Sequence, residues 1–147
     1  MLTKFFNSLL FGSIFVLLLD FLFFVGLKIN YFDYYGIDEY FNTIFVDNQP
    51  YILLFILSIA LGYVMLYLKK PKIFHRLYIV LILISATTFY QPIANSVGAF
   101  LFTQKEQKLE VLDKNITTDI IYRGREALYL KRANIPKVIK YSYDEVK

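Results

Sequence analysis

Apolar side chains follow one another in three long runs, and short polar segments separate these runs. The runs cover 5–27, 51–68 and 77–102. A helix rises about 1.5 Å per residue, so about 20 apolar residues cross a hydrocarbon layer of about 30 Å. After a polar stretch over 103–108, apolar and polar residues alternate, which is typical of strands. The sequence therefore predicts an all-α transmembrane bundle of three helices, with a small β-rich C-terminal domain outside the membrane.

Prolines and short polar residues set the predicted boundaries. Pro50 follows two short polar residues, which favours a helix start, and Pro92 inside the third run predicts a kinked helix or one broken in two. The first run contains Asp20 and lacks a small-x-small cleavage site, so we expect a retained anchor and not a signal peptide. The predicted segments are helix one over 1–28, an outer aromatic loop with an interfacial helix over 29–49, helix two over 50–68, a basic turn over 69–76, helix three over 77–102, kinked near Pro92, and a β-rich tail over 103–147.

Basic residues predict the orientation in the membrane. Lys69, Lys70, Lys72 and Arg76 lie between the second and third runs without an acidic residue among them. Basic loops stay on the cytoplasmic side, and the same side chains can contact anionic lipid there. We therefore expect a multi-pass protein of the bacterial inner membrane, with its N-terminus in the cytoplasm and its C-terminal tail in the periplasm.

The tail after the third run is expected to form a small sheet. β-forming residues over 116–122, 127–131 and 138–143 predict a three-stranded antiparallel meander, and 109–112 is a candidate fourth strand. The polar stretch 103–108 is expected to extend helix three into water. A domain this small buries little core by itself, so we expect it to pack on the outer loop, on a second copy or on another protein.

Composition argues against several classes of function. The chain has no cysteine and one histidine, so we expect no metal site and no cofactor. It also lacks a nucleophile–base pair and a phosphate-binding loop, so we do not expect an enzyme. The net charge is +4, but the charged residues lie in short blocks between the apolar runs, which membrane topology explains, so nucleic acid is not an expected partner.

An acidic residue inside an apolar run marks the first candidate site. Asp20 is expected at a depth similar to that of four other polar residues of the predicted spans, because they lie at similar distances from the span midpoints. Three interpretations remain open: a proton or cation relay, a structural hydrogen bond between helices one and three, and a carboxylate near enough to the outer surface to reach water. The predicted intramembrane polar cluster is Asp20, Ser58, Thr88, Gln91 and Asn95.

Aromatic and basic residues outside the runs mark a candidate surface for partner proteins. Tyrosines of the outer loop favour either the membrane surface or a protein interface, and the basic strands of the tail favour either a solvated face or an acidic partner. The predicted contact residues are Tyr34, Tyr35, Tyr40, Phe41, Arg123, Arg125 and Tyr129. Separately, the stretch 113–117 resembles the extended acceptor acid-x-Asn-x-Ser/Thr of bacterial oligosaccharyltransferases that act in the periplasm, which makes Asn115 a candidate glycosylation site.

These observations predict an accessory, scaffold or assembly subunit of a larger envelope complex. Its expected partners are membrane lipids and other membrane or periplasmic proteins, a second copy included. Two alternatives remain, a small ion- or proton-coupled membrane component that uses Asp20 with Gln91 and Asn95, and a membrane immunity or exclusion protein.

Overall fold

A computed structural model describes residues 1–68, 71–111, 114–131 and 137–146. Most of the described chain is helical, and a small antiparallel sheet of four strands lies at the C-terminal end. The prediction of a helical chain with a β-rich end is thereby confirmed. Lys69 and Lys70 of the predicted basic turn and Asp113 of the acceptor motif lie outside the described residues.

The helices follow the apolar runs along the chain. The first helical stretch is continuous over Leu2–Tyr35 and ends at Gly36, whose φ of 75° favours glycine. The helices are α1 (Leu2–Leu27), a π-helical turn (Lys28–Phe32), α2 (Asp33–Tyr35), α3 (Phe41–Asp47), α4 (Tyr51–Tyr67), α5 (Pro71–Ala86), a 3₁₀ turn (Thr87–Phe89) and α6 (Gln91–Phe102).

Two helical stretches of the described chain, Leu2–Tyr35 and Lys72–Phe89, are long and apolar enough to cross a membrane. The pair α3 and α4 is bent by 82° and would supply a third crossing if it counts as one span. This finding rests on length and composition. It is compatible with a membrane protein and gives either two or three crossings.

The third apolar run forms two helices rather than one kinked helix. Tyr90 has an extended backbone, with φ −94° and ψ 112°, and separates the 3₁₀ turn from α6. Pro92 lies in the first turn of α6, where its missing N–H costs nothing. Of the two alternatives that the sequence leaves open for 77–102, a kinked helix and a helix broken in two, the described chain has the break.

The described chain divides into two compact units. The first unit comprises 1–25 and 45–87, and the second comprises 26–44 and 88–147. In the first unit, α1 and α4 approach closely where a Cβ at Gly12 would collide with the backbone of Ser58, and a Cβ at Gly62 with the backbone of Ser8. Both helices thus place small residues four positions apart, a spacing that lets membrane helices pack tightly.

Large apolar side chains cover the outer surface of this first unit. Only 22% of the most apolar window of Leu2–Tyr35 and 11% of that of Lys72–Phe89 are buried. Helices that are apolar on all sides are typical of lipid surroundings. The most exposed large apolar residues of the three helices include Leu10, Ile14, Leu18, Ile52, Ile56, Ile79, Leu83 and Ile84.

The second unit contains the sheet, whose strands are paired in chain order. The strands are β1 (Gln104–Val111), β2 (Lys114–Arg123), β3 (Ala127–Leu130) and β4 (Ile139–Ser142). A bridge between Val111 and Val146 joins the C-terminal segment back to β1, so the sheet curls around its own core. Val111, Ile120, Leu128 and Leu130 are buried in this core, and Leu109, Ile116, Tyr141 and Val146 pack against them.

The strand β1 corrects a prediction made from the sequence. The stretch expected to extend helix three into water is extended from Gln104 onwards and pairs with β2. An irregularity between Gln104 and Gln107, with Glu106 at φ 51°, shifts the register. The polar residues of this stretch have no strong local preference for strand, so the pairing with β2 determines its conformation.

Candidate partner-binding cleft

The outer loop packs directly on the sheet within the second unit. Tyr31 and Phe32 are fully buried. The ring of Phe32 lies 5.2 Å from that of Phe102 and 5.0 Å from that of Tyr122, measured between centroids. The tail was expected to pack on the outer loop, on a second copy or on another protein, and in the structure it packs on the outer loop.

Hydrogen bonds fix this packing. The hydroxyl of Tyr31 donates to the carbonyl of Ile121 at 3.1 Å and lies 3.1 Å from Oγ1 of Thr103. The backbone N–H of Val138 donates to the carbonyl of Tyr35 at 3.0 Å. The end of the first helical stretch is thus tied to both β2 and the segment that leads into β4.

Tyr129 of β3 also connects the sheet to the outer loop. Its hydroxyl lies 3.2 Å from the carbonyl of Asp38 and 3.3 Å from Oε1 of Glu39, and the residue is fully buried. Burial and the Glu39 carboxylate raise the pKa of Tyr129 above its ordinary value, because both disfavour the phenolate. Tyr129 was predicted as a partner contact, but its burial excludes it from the surface of the unit.

A cleft of about 560 Å³ opens between the loop and the sheet. Three basic and three acidic side chains line it together with two aromatic rings and one hydroxyl. Tyr40, at its edge, is 82% exposed. The lining residues are Lys28, Asp38, Glu39, Tyr40, Phe41, Thr43, Arg125, Glu126 and Lys140.

The charges of this cleft are partly committed to internal contacts. Lys28 forms an ion pair with Asp33, and Glu39 accepts from Tyr129. The ammonium group of Lys140 lies 5.9 Å from the ring centroid of Tyr129. The cleft therefore presents cations beside carboxylates at an aromatic edge, an arrangement suited to a polar peptide segment that carries charges of both signs.

The predicted contact residues have different positions relative to this cleft. Tyr40, Phe41 and Arg125 line it together, although they come from opposite ends of the sequence. Tyr34 is exposed and Tyr35 half-buried, and neither lines the cleft. Arg123 is exposed, and its Nε donates to Oε1 of Gln104 at 3.0 Å.

The predicted polar cluster is divided between the two units. In the first unit, the Asp20 carboxyl interacts with the side chain of Gln49, while the Ser58 hydroxyl donates to the Leu54 carbonyl at 2.7 Å. In the second unit, the carbonyl of Thr88 accepts from Nδ2 of Asn30 at 3.1 Å.

Two members of the cluster differ in exposure. Gln91 is exposed. Oδ1 of Asn95 is buried without a hydrogen-bond partner among the described residues.

The remaining predicted residues lie on the surface. Lys72 and Arg76 are exposed near the start of α5. Asn115 is exposed near the start of β2, where it pairs in register with Glu110. Its modification remains a prediction.

Sequence reasoning missed the acidic residues of the cleft and the helix seam, which is the close contact of α1 and α4 at Gly12 and Gly62. Asp38, Glu39 and Glu126 gave no signal, because nothing in the sequence shows that the loop meets the β2–β3 connection. The seam did have a signal, since Ser8 and Gly12 are four residues apart, as are Ser58 and Gly62.

Comparisons of this chain with protein-family models, with curated proteins and with solved structures find no match.

Proposed function

We propose that this protein is an accessory or scaffold subunit of a bacterial envelope complex. It crosses the inner membrane three times, with its N-terminus in the cytoplasm, and holds a partner protein in the periplasm. The supporting observation is the cleft, where the aromatic loop and the basic tail meet in one polar site.

The membrane placement is supported by helix length and by exposed apolar surface. The stretches Leu2–Tyr35 and Lys72–Phe89 have the required length. The bent pair of α3 and α4 would form the third crossing. The basic residues Lys4, Lys72 and Arg76 lie toward one end of the crossings, and the positive-inside rule places such an end in the cytoplasm. Three crossings then place the sheet in the periplasm.

The chemistry of the cleft favours recognition over catalysis. Its carboxylates lie among ammonium and guanidinium groups at an open surface, and Glu39 is held by Tyr129. Tyrosine and arginine, which dominate energetic hot spots of protein interfaces, are present as Tyr40 and Arg125. The partner we expect is a protein segment with both acidic and basic groups.

The experiment replaces Tyr40 by a photo-crosslinking amino acid in living cells. It compares the otherwise native protein with a variant in which one charged side chain is reversed. We expect a discrete crosslinked partner that is lost in Arg125→Glu. The matched control is Lys105→Glu, which reverses an exposed charge of β1 outside the cleft and should retain the adduct. Crosslinking that is absent, or equally strong in both variants, would refute the scaffold function.

The ion- or proton-coupled alternative is retained because of one observation. Oδ2 of Asp20 is buried without a hydrogen-bond partner among the described residues, which is costly unless the group is protonated or meets a cation. The immunity alternative uses the same cleft on an incoming protein, so the identity of the crosslinked partner separates it from the scaffold.

A further inference from the structure

The third apolar run supplies more helix than one crossing needs. The stretch Lys72–Phe89 has 18 residues, which at about 1.5 Å per residue covers about 27 Å and nearly spans the hydrocarbon layer. Helix α6 begins two residues later, at Gln91. If Lys72–Phe89 crosses the membrane, α6 starts at the outer boundary of the bilayer.

Helix α6 also ends at a boundary with water. It has 12 residues and is about 18 Å long, too short to return across the membrane. Thr103 follows it, and then the charged strand β1 begins with Gln-Lys-Glu-Gln-Lys. Because a charged edge strand requires water, both ends of α6 lie on the same side of the hydrocarbon layer.

Contacts within the second unit support the same geometry. At the start of the α6 region, the carbonyl of Thr88 accepts from Asn30, and a Cβ at Gly26 would collide with Thr88. At its end, the ring of Phe102 lies 5.2 Å from that of Phe32. Thr88, just before α6, and Phe102, at its end, thus both contact the stretch 26–32, whose seven residues cover only about 9 Å of the first helical stretch. Helix α6 therefore crosses that stretch and does not run alongside it.

The two faces of α6 differ in exposure. Ala94 and Gly98 form the buried face, and a Cβ at Gly98 would collide with the ring of Tyr31. On another side of the helix Ile93 is 38% exposed and Phe100 is 87% exposed, and the two lie seven residues apart on one face. A large apolar side chain is less stable in water than when it is buried, so this face favours an apolar cover.

We propose that α6 lies in the plane of the outer membrane boundary and inserts Ile93 and Phe100 among the lipids. This rests on the proposed crossing by Lys72–Phe89, because the continuity of the chain brings α6 to the boundary and makes lipid the occupant of its apolar face. The exposed rings of Phe89 and Tyr90 lie at the junction, at the depth where aromatic residues are enriched. The helix thereby anchors the sheet and its cleft close to the membrane surface.

The experiment measures the depth of single residues in phosphatidylcholine vesicles. The chain has no cysteine, so one cysteine at Ile93 or at Phe100 carries an environment-sensitive fluorophore without further changes. Lipids brominated at known acyl positions quench the fluorophore according to its depth. The matched controls are Ile73 and Val80, which are also seven residues apart and exposed, but lie in α5.

We expect equal, shallow depths at 93 and 100, and depths about 10 Å apart at 73 and 80. A difference of about 10 Å between 93 and 100 would show a helix that descends into the bilayer and would overturn the proposal. Fluorophores at 93 and 100 that only aqueous iodide quenches would overturn it as well. Equal depths at 73 and 80 would refute the crossing itself, and the crosslinking at Tyr40 tests the scaffold function independently of all these outcomes.

Discussion

Replacement of Phe32 by alanine tests whether the outer loop and the sheet form one folded module. Phe32 is fully buried, with ring centroids of Tyr31, Phe102 and Tyr122 at 5.3, 5.2 and 5.0 Å. Removing a phenyl ring from a packed core costs about 3–5 kcal/mol. Because three aromatic contacts are lost together, we expect a value in the upper half of this range.

The measurement is hydrogen exchange of the backbone amides of β2 and β3 in the purified protein in detergent. Every 1.4 kcal/mol changes an equilibrium constant about tenfold, so Phe32→Ala should lower protection about 700- to 4000-fold. The matched control is Phe100→Ala, which removes the same atoms at a position that is 87% exposed. Its effect on these amides should stay within about twofold, since surface substitutions change stability by about 0.5 kcal/mol or less.

Two results would refute this reasoning. Unchanged protection in Phe32→Ala would mean that the sheet is stable without the loop. Equal losses in both variants would mean that the protection follows detergent contact and not the aromatic core.

Three further predictions concern other parts of the molecule. Gly12→Leu forces α1 away from α4 and should lower stability by about 1–3 kcal/mol or more, measured as a lower thermal unfolding midpoint in detergent. Phe11→Leu, at an exposed neighbouring position, should leave the midpoint nearly unchanged. Equal midpoints in the two variants would contradict the close packing of α1 on α4. The pKa of Tyr129 is raised, so the unfolded chain loses a proton above about pH 10 that the folded chain retains, and stability should fall there as pH rises. Thermal unfolding at pH 8 and at pH 11 should show a larger drop in the native protein than in Tyr129→Phe, and identical drops would contradict this account. Asp20→Asn should preserve the crosslinked partner at Tyr40 if the protein is a scaffold, while loss of proton-coupled transport in vesicles with the adduct intact would favour the ion-coupled alternative.

Local sequence signals predicted the elements whose conformation depends on their own residues. The runs that became α1, α4 and α5 are continuously apolar, and β-forming residues mark β2, β3 and β4. The break near Pro92 was foreseen as one of two outcomes, because proline restricts its own turn wherever it lies.

Features that depend on distant partners could not be read from the sequence. Strand β1 consists of residues that suit a helix, and only pairing with β2 makes it extended. The sequence pattern alone predicts that Tyr129 is a surface aromatic, whereas in the structure its hydroxyl contacts the loop residues Asp38 and Glu39. The cleft combines residues about 85 positions apart, Tyr40 and Arg125, and no spacing rule connects them.

The sidedness of the sheet tests the central claim most directly. Single cysteines at Glu126, which is exposed at the cleft, and at Lys72, which is exposed at the start of α5, can be labelled in intact cells with a membrane-impermeant maleimide. Three crossings with a cytoplasmic N-terminus predict that position 126 is labelled once the reagent has entered the periplasm, and position 72 only after the inner membrane is opened. Labelling of position 72 before that step, with position 126 protected, would contradict the proposed topology and the periplasmic partner with it.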